Sequence, residues 1–260
     1  MATAALAPDN SNRELRRLWA ASIILTTLLV TSVFIFDLFE NLPLAFLAIC
    51  TAPSLAILTT FQLIRVGQIS PAKPNARAVF FGLFFIIGAA SFDILCTVIV
   101  NPNLDMEGNL YIRKLLDSGV SLTSVAIFFG VFQLSFILLF AVSWIVFLRH
   151  LPLLVKSIQK SRPTTTLEFI KSATGGAHLT WRQWLIPYKP SEFPQIYHTF
   201  WIAAISLVLG LSLFRWYAAA EWLGFFEISD LARYTVILSG VFGFLLAYFV
   251  VLAKLCSKDS

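Results

Sequence analysis

Long, almost uninterrupted apolar runs are the feature that most constrains this chain of 260 residues. Each run is close to the ~20 residues that a helix needs to cross the hydrocarbon core of a bilayer. The six runs cover residues 18–36, 43–64, 78–100, 123–148, 197–217 and 234–255. Because they are continuous and do not alternate apolar with polar residues, they predict helices and not the strands of a barrel. We expect an all-α integral membrane protein with six transmembrane helices in one domain.

The composition excludes a soluble globular domain. Hydrophobic residues make up 58% of the chain and charged residues 13%, whereas soluble domains carry about a quarter charged residues. The main partner is therefore the lipid bilayer. The net charge of +5 does not indicate nucleic-acid binding, because the basic residues face anionic lipid headgroups and are not arranged with base-stacking aromatics.

The distribution of Lys and Arg predicts the orientation. If the N-terminus is cytoplasmic, most of the 19 basic residues fall in cytoplasmic segments. The opposite side keeps Arg113, Lys114 and Arg233, with Arg215 near a helix end. Since Lys and Arg are enriched in cytoplasmic loops, this bias predicts that both termini are cytoplasmic. A chain without glycosylation sequons or lipidation signals further favours a prokaryotic-type cytoplasmic (inner) membrane.

One extramembrane segment is long enough to have its own role. Residues 149–196 form a cytoplasmic loop in which residues 167–184 mix apolar and aromatic residues with Lys171 and Arg182. This mixture predicts one or two short helices lying in the membrane interface. The loop is interpreted either as a membrane-surface linker or as a docking segment for membrane-protein partners.

Asp93 is the residue most expected to carry function. It lies seven residues before Val100, the last apolar residue of the third span, which places it about 10 Å below the outer end of the helix. A carboxylate inside the hydrocarbon is costly unless it is paired, protonated or open to water, so such residues are functional candidates. Thr97 follows on the same helix face.

Polar residues at the same membrane surface extend this candidate site. Glu107, Asn109 and Arg113 follow shortly after the third span. With Asp93 and Thr97 they form a predicted ion- or ligand-binding set. Oxygen ligands of this kind suit a divalent cation such as magnesium or calcium, or a proton relay. No catalytic residue is assigned.

The alternative for Asp93 is structural. Asp93 and Arg215 lie at similar depths when each is counted from the cytoplasmic start of its span. An ion pair between them would lower the cost of burying both charges and would fix how the third and fifth spans pack.

A faint internal repeat links the same two regions. Gly88-x3-Phe92-Asp93 resembles Gly210-x3-Phe214-Arg215, and Glu107-x5-Arg113 resembles Glu227-x5-Arg233. The repeat raises the hypothesis of two three-helix halves.

Two resemblances to known families follow from these motifs. Asp93-x3-Thr97, followed by Glu107-Gly-Asn109 and the residues to Gly119, resembles an uncharacterised family of small prokaryotic membrane proteins. In that family an Asp-x3-Thr helix leads into Glu-x-Asn-Pro, where this chain has Leu110 in place of the proline. The resemblance implies that Asp93, Thr97, Glu107, Asn109 and Arg113 form a shared site, and it implies no activity. Residues 168–187 are similar to the coupling loop of permeases in ABC importers.

We therefore expect a protein of binding, transport or assembly type with an outer-facing acidic site for a cation, a proton or a polar headgroup. The first alternative is an intramembrane, metal-dependent enzyme that modifies lipids. The second is an ABC-importer-type permease or a scaffold subunit of a membrane complex.

Overall fold

A computed structural model describes residues 42–65, 70, 72–103, 110–173, 193–225 and 230–257. Every regular element in these ranges is a helix, so the prediction of an all-α fold is confirmed there. The helices are α1 (Leu42–Arg65), α2 (Ala76–Val100), α3 (Leu110–Asp117), α4 (Leu122–Ser161), α5 (Thr166–Ala173), α6 (Phe193–Trp222) and α7 (Asp230–Ser257).

Within the described ranges, four helical segments are long and apolar enough to cross a membrane. They are Ala76–Val100, Leu122–Lys160, Trp201–Trp222 and Thr235–Cys256. These segments coincide with the last four predicted spans and indicate an integral membrane protein. Helix α1 covers the second predicted span, and residues 18–36 lie outside the described part of the chain. The number of six spans stays a prediction.

Helix α4 runs well beyond the predicted span. It continues past Leu148 to Ser161, so the first part of the predicted loop 149–196 is helical. Leu154 and Ile158 are fully buried against Ala173 of α5 and Leu252 of α7. Because these positions are four residues apart on one helix face, their burial stabilises the helix beyond the apolar run.

Helix α5 is a short helix inside the predicted interfacial segment. Glu168 accepts hydrogen bonds from the backbone N–H and the hydroxyl of Thr164, and the Thr165 hydroxyl accepts one from the backbone N–H of Glu168. These bonds satisfy donors that the first turn of a helix leaves open. Leu167 is exposed and Ala173 is buried, so one face of α5 packs on α4 and α7. The rest of the segment, residues 174–192, lies outside the described ranges.

Helix α6 is the central element of the described helices. It contacts α1, α2, α4 and α7 and is the most buried of the four candidate spans. Two clusters of buried side chains surround it. One contains Ala56, Leu63, Phe147, Leu148, Trp201, Ala204 and Ile205, and the other contains Ile86, Phe136, Phe140 and Val208.

Three tryptophan indoles tie neighbouring helices together. The indole N–H of Trp144 in α4 donates to the carbonyl of Ala78 at 3.0 Å, and that of Trp201 in α6 donates to the Thr60 hydroxyl at 3.0 Å. Trp216 makes the third such bond, to α2. Hydrogen bonds between helices support packing inside a membrane, where lipid tails compete for apolar contacts.

Candidate functional site

Trp216 fixes the position of α6 against the middle of α2. Its indole N–H donates to the carbonyl of Phe85 at 3.2 Å. Its ring contacts the Phe92 ring with 5.5 Å between centroids, and a Cβ added to Gly88 would lie 3.1 Å from the ring. Gly88 thus leaves room for the indole. Arg215 is the neighbour of Trp216 in α6, and Asp93 is the neighbour of Phe92 in α2. The contact between the two rings therefore places Arg215 and Asp93 in the same region.

Arg215 interacts with three groups from two other helices. Its Nη2 donates to Oε1 of Gln133 in α4. Its guanidinium carbon lies 5.8 Å from the centroid of the Phe136 ring, within the range of a cation–π interaction. Asp93 interacts with it electrostatically. A positive charge inside the helix bundle is therefore compensated partly by a carboxylate and partly by neutral groups.

The second terminal nitrogen of Arg215, Nη1, differs from Nη2 in its hydrogen bonding. Nη1 is buried and, among the residues that the structure describes, has no hydrogen-bond partner. Buried polar groups are satisfied by a partner in the great majority of cases, because an unmade bond leaves the cost of desolvation uncompensated. Nη1 is therefore the donor through which this site has capacity for a further acceptor.

Asp93 is half-buried and influences more than one neighbour. It interacts electrostatically with Arg215 and with Cys96, which is buried three residues further along α2. A carboxylate in an apolar helix requires such compensation. A direct ion pair between Asp93 and Arg215 stays a prediction.

Thr97 lies on the predicted face of α2, but its hydroxyl is engaged locally. It is buried and donates to the backbone carbonyl of Asp93 at 2.9 Å. The helix ends at Val100, and the backbone N–H of the next residue, Asn101, donates to the Thr97 carbonyl at 2.8 Å. Threonine hydroxyls in apolar helices often bond to the carbonyl four residues earlier. This bond uses the donor hydrogen of Thr97, so the hydroxyl has only acceptor capacity left for a ligand.

Arg113 lies on the exposed side of the short helix α3. Its neighbour Ile112 is buried against Val125 of α4, whereas the Arg113 side chain is exposed. Glu107 and Asn109 lie outside the described residues. The predicted grouping of these three with Asp93 therefore stays a prediction.

Gln133 is the site residue that the sequence analysis missed. It is a buried amide within a long apolar run. A polar side chain at that depth is itself a recognisable signal, because such residues face the interior of a helix bundle and hydrogen-bond across it. Phe136 carried no comparable signal among the 25 phenylalanines of the chain.

The cluster combines one carboxylate, one guanidinium and one amide. Within the described ranges no group of three or more His, Cys, Asp or Glu side chains is close enough to hold a metal ion. A divalent cation at Asp93 would have to share the site with the positive charge of Arg215. The described side chains fit better to a ligand that offers an acceptor to Arg215 and a donor or positive charge to Asp93.

Comparison with known proteins adds no family to this description. No protein-family model matches the chain, and neither a curated protein nor a solved structure does. The functional inference therefore rests on the chemistry of the Asp93, Arg215 and Gln133 cluster.

Proposed function

We propose that this protein is a six-span integral membrane protein, with both termini cytoplasmic, that binds a polar lipid headgroup in the outer half of a prokaryotic-type inner membrane. Asp93, Arg215 and Gln133 form the binding site. The sequence prediction adds Glu107, Asn109 and Arg113 to this site, of which Glu107 and Asn109 lie outside the described residues. Binding of this kind serves lipid transport or the assembly of other membrane proteins.

One observation carries the proposal. The buried Nη1 of Arg215 has no hydrogen-bond partner in the described part of the chain, although Nη2 of the same guanidinium is bonded to Gln133. A guanidinium presents two parallel donors that match the oxygens of a phosphate or a carboxylate. A phosphate oxygen that accepts from Nη1 would give both terminal nitrogens a hydrogen-bond partner.

A zwitterionic headgroup fits the charges better than a bare cation or a proton alone. Its phosphate meets Arg215 and its ammonium meets Asp93, so each buried charge gains an opposite charge. A cation alone would be repelled by Arg215. A divalent cation becomes the better ligand only if Glu107 and Asn109 supply further oxygen atoms.

The test is the retention of phospholipid by the purified full-length protein in mild detergent. We expect wild-type protein to retain phosphatidylethanolamine, measured by mass spectrometry of the lipid extract. Asp93→Asn and Arg215→Gln should each lower the retained amount at least five-fold. Lys156→Gln is the control, because Lys156 is an exposed cation on the cytoplasmic extension of α4. Equal retention by all four proteins would refute the proposal.

The scaffold hypothesis is the second candidate, and the electrostatic attraction between Asp93 and Arg215 favours it. In a scaffold the pair acts only on helix packing. Either single substitution then lowers thermal stability, while the exchange variant Asp93→Arg with Arg215→Asp regains it, since the Gln133 amide can donate to a carboxylate as well as accept from a guanidinium. A headgroup site predicts that the exchange variant folds but still fails to retain lipid.

The enzyme and permease hypotheses each require a different ligand or partner. A metal-dependent enzyme that modifies lipids requires Glu107 to join Asp93 around a metal ion. An ABC-importer-type permease requires a partner that binds the loop 149–196. Metal analysis and a pull-down in mild detergent test these two, respectively.

A further inference from the structure

An open hollow lies at the start of α2, far from the Asp93 cluster along the helix. Its volume is about 480 Å³, and it is lined by Ala76, Arg77, Phe80 and Phe81. Phe80 is 64% exposed and Phe81 66% exposed. The two rings meet edge to face with 5.6 Å between centroids. The hollow is thus lined by one charged side chain and two aromatic rings.

The aromatic surface continues along the membrane-facing side of the helix. Phe84 is 63% exposed and stacks on Phe80 with 6.4 Å between ring centroids. Because α2 is long and apolar enough to cross a membrane, its first turn lies at the headgroup level and the next turns lie among the acyl chains. Arg77 therefore lies at the depth of a phospholipid headgroup, and the three phenylalanines lie at the depth of its acyl chains.

Two further basic residues are linked to the segment that precedes α2. Lys73 is exposed in the segment before α2. The backbone N–H of Ala72, beside it, donates to the carbonyl of Arg149 in α4 at 3.2 Å, and the Arg149 side chain is exposed. Lys73 and Arg149 thus lie on either side of the backbone contact that joins α4 to the segment before α2.

Negative charge is missing from the same part of the sequence. The chain contains no Asp or Glu between Glu40 and Asp93. Among the described residues, the Arg77 guanidinium makes no hydrogen bond or ion pair, and only its backbone N–H is engaged, by the Asn75 side chain at 2.9 Å. The cation is therefore available to an external anion.

We propose that this hollow binds an anionic phospholipid of the cytoplasmic leaflet. Arg77 contacts the phosphate, Lys73 and Arg149 add attraction, and an acyl chain lies along Phe80, Phe81 and Phe84. The charge complementarity selects anionic over zwitterionic headgroups, since each basic residue near an anionic leaflet strengthens binding. This lipid site is separate from the proposed outer headgroup site and does not depend on it.

The test compares lipid binding by the full-length protein with native mass spectrometry. Purified protein is titrated with phosphatidylglycerol and, in parallel, with phosphatidylcholine of the same chain length. We expect wild-type protein to bind phosphatidylglycerol more tightly. Arg77→Ala should weaken that binding about five-fold, the effect of one basic residue at an anionic surface, and should weaken phosphatidylcholine binding less, because the choline ammonium cancels the phosphate charge. Arg77→Lys should keep most of the preference.

The matched control is Lys160→Ala, which removes an exposed cation of α4 that does not line the hollow. If Lys160→Ala weakens phosphatidylglycerol binding as much as Arg77→Ala does, the attraction is a diffuse surface effect and the site is refuted. Equal binding of the two lipids by wild-type protein would also refute it. Phe81→Ala should weaken the binding of both lipids. Asp93→Asn should keep the preference, which separates this site from the outer one.

Discussion

At the scale of single residues, hydrogen-bond partners decide what a buried polar side chain does. Thr60 of α1 and Thr97 of α2 are both buried, and each donates its hydroxyl to a backbone carbonyl four residues earlier. Thr60 also accepts the indole N–H of Trp201 at 3.0 Å. The sequence alone presents two equivalent threonines in apolar runs, but only Thr60 connects two helices in the structure.

This difference predicts unequal effects of the same substitution. Thr60→Val leaves the buried Trp201 indole without an acceptor and should lower the free energy of unfolding by about 1–3 kcal/mol. Thr97→Val removes a hydroxyl that donates to the Asp93 carbonyl, and this carbonyl keeps its hydrogen bond within the helix. The loss in the free energy of unfolding should therefore be less than about 1 kcal/mol. Thermal unfolding in mild detergent measures both. A larger loss for Thr97→Val would show that this hydroxyl has a further role in the candidate site.

At the scale of helices, close backbone approach determines which glycines are essential. Gly210 of α6 faces α7, where a Cβ added to it would lie 2.8 Å from the backbone nitrogen of Val241 and 3.0 Å from its Cα. Gly240 of α7 lies at the same crossing, since a Cβ added to it would lie 3.3 Å from the carbonyl oxygen of Gly210. Small residues at such crossings allow membrane helices to pack tightly.

The packing predicts opposite outcomes for two glycine substitutions. Gly210→Ala forces the backbones of α6 and α7 apart and should destabilise the protein by about 1–3 kcal/mol. Gly130→Ala, in α4, meets no atom within 4 Å and should be neutral or stabilising by up to about 1 kcal/mol, because alanine has the higher helix propensity. Thermal unfolding of the two variants gives the comparison. A Gly210→Ala protein as stable as Gly130→Ala would contradict the close crossing.

At the scale of the whole molecule, the predicted topology places the two proposed lipid sites in opposite leaflets. Arg113 follows the C-terminal end of α2, which the predicted topology places outside, whereas Lys73 precedes its N-terminal end. The orientation itself rests on the distribution of basic residues. It determines which leaflet supplies the lipid for each site.

Cysteine accessibility in intact cells tests this orientation. After Cys50, Cys96 and Cys256 are replaced by serine, single substitutions Arg113→Cys and Lys73→Cys are introduced. A membrane-impermeant maleimide added outside should label the protein with Arg113→Cys and should label the one with Lys73→Cys only after the cells are opened. The reversed pattern would overturn the inward placement of both termini and exchange the leaflets of the two sites.

The sequence predicted part of the candidate site because the cost of a charge in hydrocarbon does not depend on the fold. Asp93 and Arg215 are recognisable as intramembrane charges wherever their helices pack. Gln133 and Phe136 could not be assigned as their neighbours, since which face of α4 meets α6 is decided by the packing of whole helices. The unpartnered Nη1 of Arg215 is likewise a property of that packing.

The sequence by itself determined the helical class and the approximate positions of the described spans, because apolar length and charge bias act locally along the chain. Only the tertiary structure decided that α6 is the central one of the described helices, that α4 continues to Ser161, and that Arg215 bonds to Gln133 and is attracted by Asp93. The physical reason is that lipid tails are as apolar as the helix surfaces. Helix contacts are therefore chosen by shape and by hydrogen bonds, such as those of Trp201 and Trp216, which hydrophobicity along the sequence does not encode.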